Sequence, residues 1–237
     1  MFSNLHHMST VPTDAEVASQ TLKEEGTYRF PSFSSSDAVT LGLSIRKRFR
    51  STSRHAKGKG LVLSIQTCGG HTLFSCTVGD LGSTTGIGDV SLDSWSCLEA
   101  MINVVRRTGH SSYYVEKGMS AMGKTPKQMG LQADSFNRVS GGAFPVWLEN
   151  APCCPIAIVA AYSGSSQEDH TLVSTTIRDY LAKTRRDDQI SYMPMPEARM
   201  PMPEMPPAPP PRDEHQEWQE HHVDDYEHRA QSPYTNT

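Results

Sequence analysis

Gly141-Gly142-Ala143-Phe144-Pro145-Val146-Trp147-Leu148-Glu149-Asn150-Ala151-Pro152-Cys153-Cys154-Pro155-Ile156-Ala157-Ile158-Val159-Ala160-Ala161-Tyr162-Ser163-Gly164-Ser165-Ser166-Gln167-Glu168-Asp169-His170 is the stretch that decides the fold. It opens on a glycine turn. Phe144 to Leu148 then read as a strand and Glu149 to Pro152 as a turn. Ile156 to Tyr162 are almost continuously apolar, as a strand buried on both faces must be, so this strand is expected at the centre of a sheet. A second glycine turn leads to Ser165 or Ser166 as the cap of a helix, with Glu168 and Asp169 in its first turn. Leu172, Val173, Ile177 and Leu181 recur at helical spacing and mark its buried face.

Working outward, Leu61 to Gln66 and His71 to Val78 flank Thr67-Cys68-Gly69-Gly70 and read as a hairpin, since glycine supplies the positive φ that tight turns need. A helix with Ser36-Asp37 as its cap is expected before it, with Ala38, Leu41, Ile45 and Phe49 on one face. Arg46 to Lys59 form a basic stretch, read as a solvated helix end and loop rather than a phosphate or nucleic-acid site. Trp95, Leu98, Ile102 and Val105 mark a long helix that stops at Gly109. Ser111 to Met122 read as another, and Thr125-Pro126 as a helix restart. Residues 131–140 are expected to connect, with one helical turn at 134–137. A fifth strand is not obvious, and residues 27–33 are the candidate.

The two ends differ from this middle. Residues 1–21 read as a flexible arm with a frayed helix near Asp14 to Lys23. From 187 onward the chain alternates Met and Pro and then turns acidic and His-rich. Proline lacks the amide donor and a folded core needs apolar surface, so 187–237 are expected to be a disordered tail, with residues 22–186 as the folded domain. The fold class read from these elements is α+β, a sheet flanked by helices.

Composition narrows the function. Hydrophobic residues make up 36% of the chain and the net charge is −4, so no overall basic field invites nucleic acid. No run approaches the roughly 18 apolar residues of a membrane span. Five cysteines without regular spacing, and no secretory leader at the start, are read as free thiols in the cytoplasm. There is no phosphate-binding P-loop, no nucleophile-elbow serine and no Cys-x-x-Cys pair.

The order and spacing of four segments resemble the GlcG/HbpS-like family, also called the haem-degrading domain, which includes the C-terminal half of PduO-type proteins. These are Gly141 to Val146, Ile156 to Gly164, Gln167-Glu168-Asp169-His170, and Asn103 to Ser112 with Gly123-Lys124-Thr125. The resemblance spans residues 22–184 and is greatest to a branch of small uncharacterised proteins. It implies a three-layer, profilin-like fold with a central antiparallel sheet of about five strands. It further implies a homo-oligomer and, for some members, a bound haem or related cofactor. Similar proteins carry a basic pair in the long helix where this chain has Ala100 and Met101 after Glu99, which removes a counter-charge for an anionic ligand.

The candidate cofactor-binding residues are His170, Gly141, Gly142, His110 and Cys154. His170 and His110 are possible ligands or bases, against capping, packing or loop roles. Gly141-Gly142 could present backbone donors to an anion, or simply make a turn. Cys154-Pro155 matches the dipeptide of haem-regulatory sites, or a turn with a small apolar cysteine. The tail histidines lack the framework of a specific metal site, so no metal centre is expected. The leading expectation is a homo-oligomeric small-molecule-binding protein, with haem or another tetrapyrrole as first candidate. The alternative is an oligomeric adaptor that displays its proline-rich tail to a protein partner. A third expectation is a haem-degrading enzyme, for which no nucleophile–base pair is evident.

Overall fold

The computed structural model describes residues 11–82, 89–131 and 139–191, with side chains to 187. All lie in the first of two units into which the chain divides, 1–193, and the second, 194–237, falls outside the described residues. The helical turn expected at 134–137 and the tail from 192 therefore lie outside them too.

The elements run α1 (Asp14–Thr27), β1 (Arg29–Phe30), α2 (Ser35–Arg50), α3 (Ser53–Ala56), β2 (Leu61–Thr67), β3 (Thr72–Val78), α4 (Leu92–Thr108), α5 (Ser112–Ala121), β4 (Ala143–Leu148), β5 (Ala157–Tyr162) and α6 (Ser166–Ser191). A single 3-10 turn, Lys127–Met129, follows Pro126 where the sequence signals a helix restart. The strands form one sheet in the order β1-β4-β5-β2-β3. β5 is central, as its unbroken apolar run requires, and β2–β3 is the expected hairpin. β1, within the 27–33 candidate, is the fifth strand. It pairs parallel with β4, so the sheet is antiparallel everywhere except at this edge.

Alternation along the strands builds a core on each face. Leu61, Leu63 and Ile65 of β2 and Val159 of β5 meet Leu41, Ile45 and Phe49 of α2 and Val173 and Ile177 of α6. Val62, Ile158 and Ala160 point the other way, to Leu98, Met101, Ile102 and Val105 of α4. α5 lies against α4, β4 and α6, and α1 lies on α5. The result is helices, sheet, helices: a three-layer, profilin-like α+β fold.

Helix ends explain two departures from expectation. α2 starts two residues earlier than a cap at Ser36 suggests. Ser34 is its N-cap, and Asp37 is the third residue of the helix, whose carboxylate accepts the Ser34 N–H at 2.6 Å. Two orphan amides are satisfied at once. The same Asp37 accepts the Tyr180 hydroxyl at 2.7 Å, which ties α2 to α6. The frayed helix expected near Asp14 to Lys23 is a capped helix that runs on to Thr27. Thr13 and Glu16 form a capping box, and Asp14 pairs with Lys117 of α5 at 2.8 Å. At the other end, α4 stops as expected: Gly109 adopts φ 72°, a left-handed cap that only glycine takes without strain. α6 continues past 186, to Ser191.

Candidate functional site

The start of α6 meets the start of β4, and α5 closes over both. Gly141 leaves no room for a side chain, since a Cβ there would stand 2.5 Å from Tyr113 and 2.7 Å from Ser166 Oγ. Its N–H donates to that hydroxyl at 2.6 Å. Ser166 in turn donates to the Glu116 carboxylate of α5. Gly142 has φ 133°, and a Cβ there would fall 2.3 Å from the Ala161 carbonyl oxygen. The pair therefore works first as a close-approach turn, and the Gly141 N–H is already engaged.

His170 lies one turn into α6 from Ser166, on the same helix face. It is 5% exposed. Its ring stacks on Tyr113 with centroids 4.6 Å apart and an interplanar angle of 21°, and Phe144 stands 6.0 Å away. Both ring nitrogens are buried without a hydrogen-bond partner. Burial pushes the imidazole down from 6.5 to about 4, so the ring is neutral at physiological pH. A neutral, unpartnered, buried imidazole is competent as a ligand or a base, and an unpaired buried polar group is otherwise a cost.

Asp169, beside it, is fully buried and points the other way. It accepts from the Ser163 N–H at 2.8 Å, the Ser163 hydroxyl, and Arg54 Nη1 at 3.0 Å. Burial pushes its carboxyl up, against these hydrogen bonds and the Arg54 charge. Arg54 also reaches Glu168 at 2.8 Å and the Ser163 carbonyl at 2.7 Å. Arg54 was expected to be solvated within the basic stretch. Instead it is 17% exposed and clamps α3 to the β5–α6 turn.

The other candidates stand elsewhere. His110 sits at the α4–α5 junction, with Nδ1 2.8 Å from Glu25 of α1. Glu25 also accepts the Ser111 N–H at 2.8 Å. This histidine anchors α1 and is not part of the His170 cluster. Cys154 is exposed in the turn before β5, at the opposite end of that strand from Gly142. Where similar proteins carry a basic pair, Met101 is buried in the core and Glu99 accepts the Gln66 amide at 2.8 Å. Among the described residues, no group of three or more His, Cys, Asp or Glu is placed to hold a metal ion, and no helix is long and apolar enough to cross a membrane. Tyr113 and Glu116 had no signal in the sequence beyond helical periodicity.

The chain matches known proteins at family level. The profile of the family described as "Haem degrading protein HbpS-like" matches residues 33–178, which cover α2 to the middle of α6, and the chain belongs to that family. α1 and β1 precede the match. A UPF0303 protein of Psychromonas ingrahamii (strain DSM 17664 / CCUG 51855 / 37) is 26% identical over 168 residues, 70% of this chain and 93% of that protein. The crystal structure of the Ybr137w protein superposes with a TM-score of 0.59 at 22% identity, over 72% of this chain and 88% of that one. A structure titled PduOC:Heme Complex is matched with a TM-score of 0.44 at 16% identity, over 62% of this chain and 94% of that one.

Proposed function

We propose that this chain is a cytoplasmic, homo-oligomeric small-molecule-binding protein whose site centres on His170, with haem or a related tetrapyrrole as the first ligand to test. The observation that carries this reading is the buried, neutral imidazole with two unpartnered nitrogens. Family membership supplies the haem candidate. The residues fit one nitrogen donor, His170, that would hold the iron of a haem. Bound haem would supply a redox-active Lewis-acidic iron. His170 would donate to it, Tyr113 would offer an aromatic plane, and Lys117, whose Nζ stands 5.7 Å from the Tyr113 ring centroid, is a cation beside that plane. Lys117 is paired with Asp14, so an anionic group would have to compete for it. The ring is 5% exposed, so a ligand reaches it only if the packing around it opens.

The test is a haem titration of the full chain followed by absorbance and thermal melting, beside His170→Ala. A Soret shift and a raised melting temperature, both lost in the variant, are expected. Neither signal in the wild-type chain would discard haem, and equal signals in both chains would discard His170 as the ligand. Turnover of haem with a reductant, lost in His170→Ala, would favour the enzymatic reading. The adaptor reading rests on the composition of the tail 187–237, which from residue 192 onward lies outside the described residues.

A further inference from the structure

Three of the five cysteines converge at the end of the sheet remote from His170. Cys68, at the β2–β3 turn, donates its N–H to the Ile156 carbonyl at 3.0 Å and its thiol to the Pro155 carbonyl at 2.9 Å. Its sulfur thus touches the residue that follows Cys154. Cys154 lies within electrostatic reach of Cys68 and is hydrogen-bonded to Cys153. Cys153 and Cys154 are exposed, and Cys68 is half-buried. Cys76, by contrast, packs against the core beneath α2.

We infer that Cys68 and Cys154 form an oxidisable dithiol, a modification site that exchanges with low-molecular-weight disulfides and closes into an internal disulfide. Solvent reaches Cys154 first. Its thiolate attacks one sulfur of oxidised glutathione, a new S–S bond forms, and the old one breaks. One glutathione leaves with the bonding pair and takes up a proton. The Cys68 thiolate then attacks the Cys154 sulfur of the mixed disulfide, and the second glutathione leaves in the same way. The protein loses two hydrogens and oxidised glutathione gains them. Cys153 is the poorer partner because a bridge between adjacent residues is strained. Cys68 approaches across two turns already joined by hydrogen bonds.

The product ties the β2–β3 turn to the β4–β5 turn covalently, where Cys68 now holds them by hydrogen bonds. Burial, first, and Cys154 hold the Cys68 thiol above its usual range, and the hydrogen bond with Cys153 does the same to Cys154. Exchange is therefore slow at neutral pH and speeds up as pH rises. The site needs no ligand at His170 and is independent of the proposed function.

The experiment equilibrates the full chain in buffers of reduced and oxidised glutathione, blocks remaining thiols by alkylation, and maps disulfides by mass spectrometry without reduction. A Cys68–Cys154 linked peptide is expected, lighter by the two hydrogens, with Cys76 and Cys97 alkylated. Cys68→Ser is expected to trap glutathione on Cys154, and Cys153→Ser to leave the link intact. Cys154→Ser, at an exposed position, is expected to abolish it. A Cys153–Cys154 bridge in its place, links only between chains, glutathione adducts that persist in the wild-type chain, or loss of the link in Cys153→Ser would each overturn the inference.

Discussion

His170→Phe tests the physical account of the buried histidine most directly. The wild-type imidazole is held at about 4 in the folded chain, against 6.5 when exposed. Between those values the unfolded chain binds a proton that the folded chain refuses. Stability from this group is therefore level above about pH 6.5, falls as pH drops through the interval, and levels again below 4. At 1.36 kcal/mol per pH unit, the full depression is worth about 3 kcal/mol, and about 2 kcal/mol of it is lost between pH 7 and pH 5. Phenylalanine keeps the stack on Tyr113, has no proton to bind and leaves no unpartnered nitrogen. Urea unfolding of both chains at pH 7 and pH 5 isolates the effect, because every other titrating group cancels in the comparison. The variant should lose about 2 kcal/mol less than the wild-type chain over that range. An identical loss in both chains, or a His170 proton resonance that titrates near 6.5, would refute the reasoning.

Other outcomes follow from the same geometry. Gly142→Ala sets a Cβ against the Ala161 carbonyl at φ 133°, and should cost about 2 kcal/mol or more in urea unfolding. Gly123→Ala, at φ 62° in open space, should cost about 1 kcal/mol, and equal costs would discredit the close-approach argument. Arg54→Met leaves buried Asp169 without its cation and should cost about 3 kcal/mol. Arg48→Met breaks an exposed pair with Asp179 and should cost under about 1 kcal/mol, measured the same way. Glu25→Gln removes the carboxylate shared by His110 and the Ser111 N–H, and should destabilise by about 1–2 kcal/mol. Its hydrogen exchange should rise through α1 while the amides of β5 stay protected.

The central place of β5 was legible because a strand covered on both faces tolerates no polar residue, and Ala157 to Ala161 contain none. The stop of α4 was legible because Gly109 is the one residue there that takes a left-handed cap freely. α1 carried a signal that makes it a capped helix rather than the frayed one expected near Asp14 to Lys23. Thr13 and Glu16 have the spacing of a capping box. The helix holds its place, however, through Lys117, Ser120, His110 and Ser111, which are far away in sequence. For α2, Ser34 and Ser36 are equally good caps by residue type, and the Asp37 carboxylate decides between them.

The site divides along the same line. Periodicity, turn glycines and caps act over a few residues, so the sequence by itself determined the helices other than α3, the hairpin, the central strand and the place of His170 at the start of the last helix. Whether that histidine is charged, paired or reachable depends on the atoms packed around it, and these come from Tyr113 of α5 and Phe144 of β4. The same holds for Arg54, which local charge placed in solvent and Asp169 drew into the fold. Desolvation and pairing are properties of a site's surroundings in space, and only the tertiary structure supplies those.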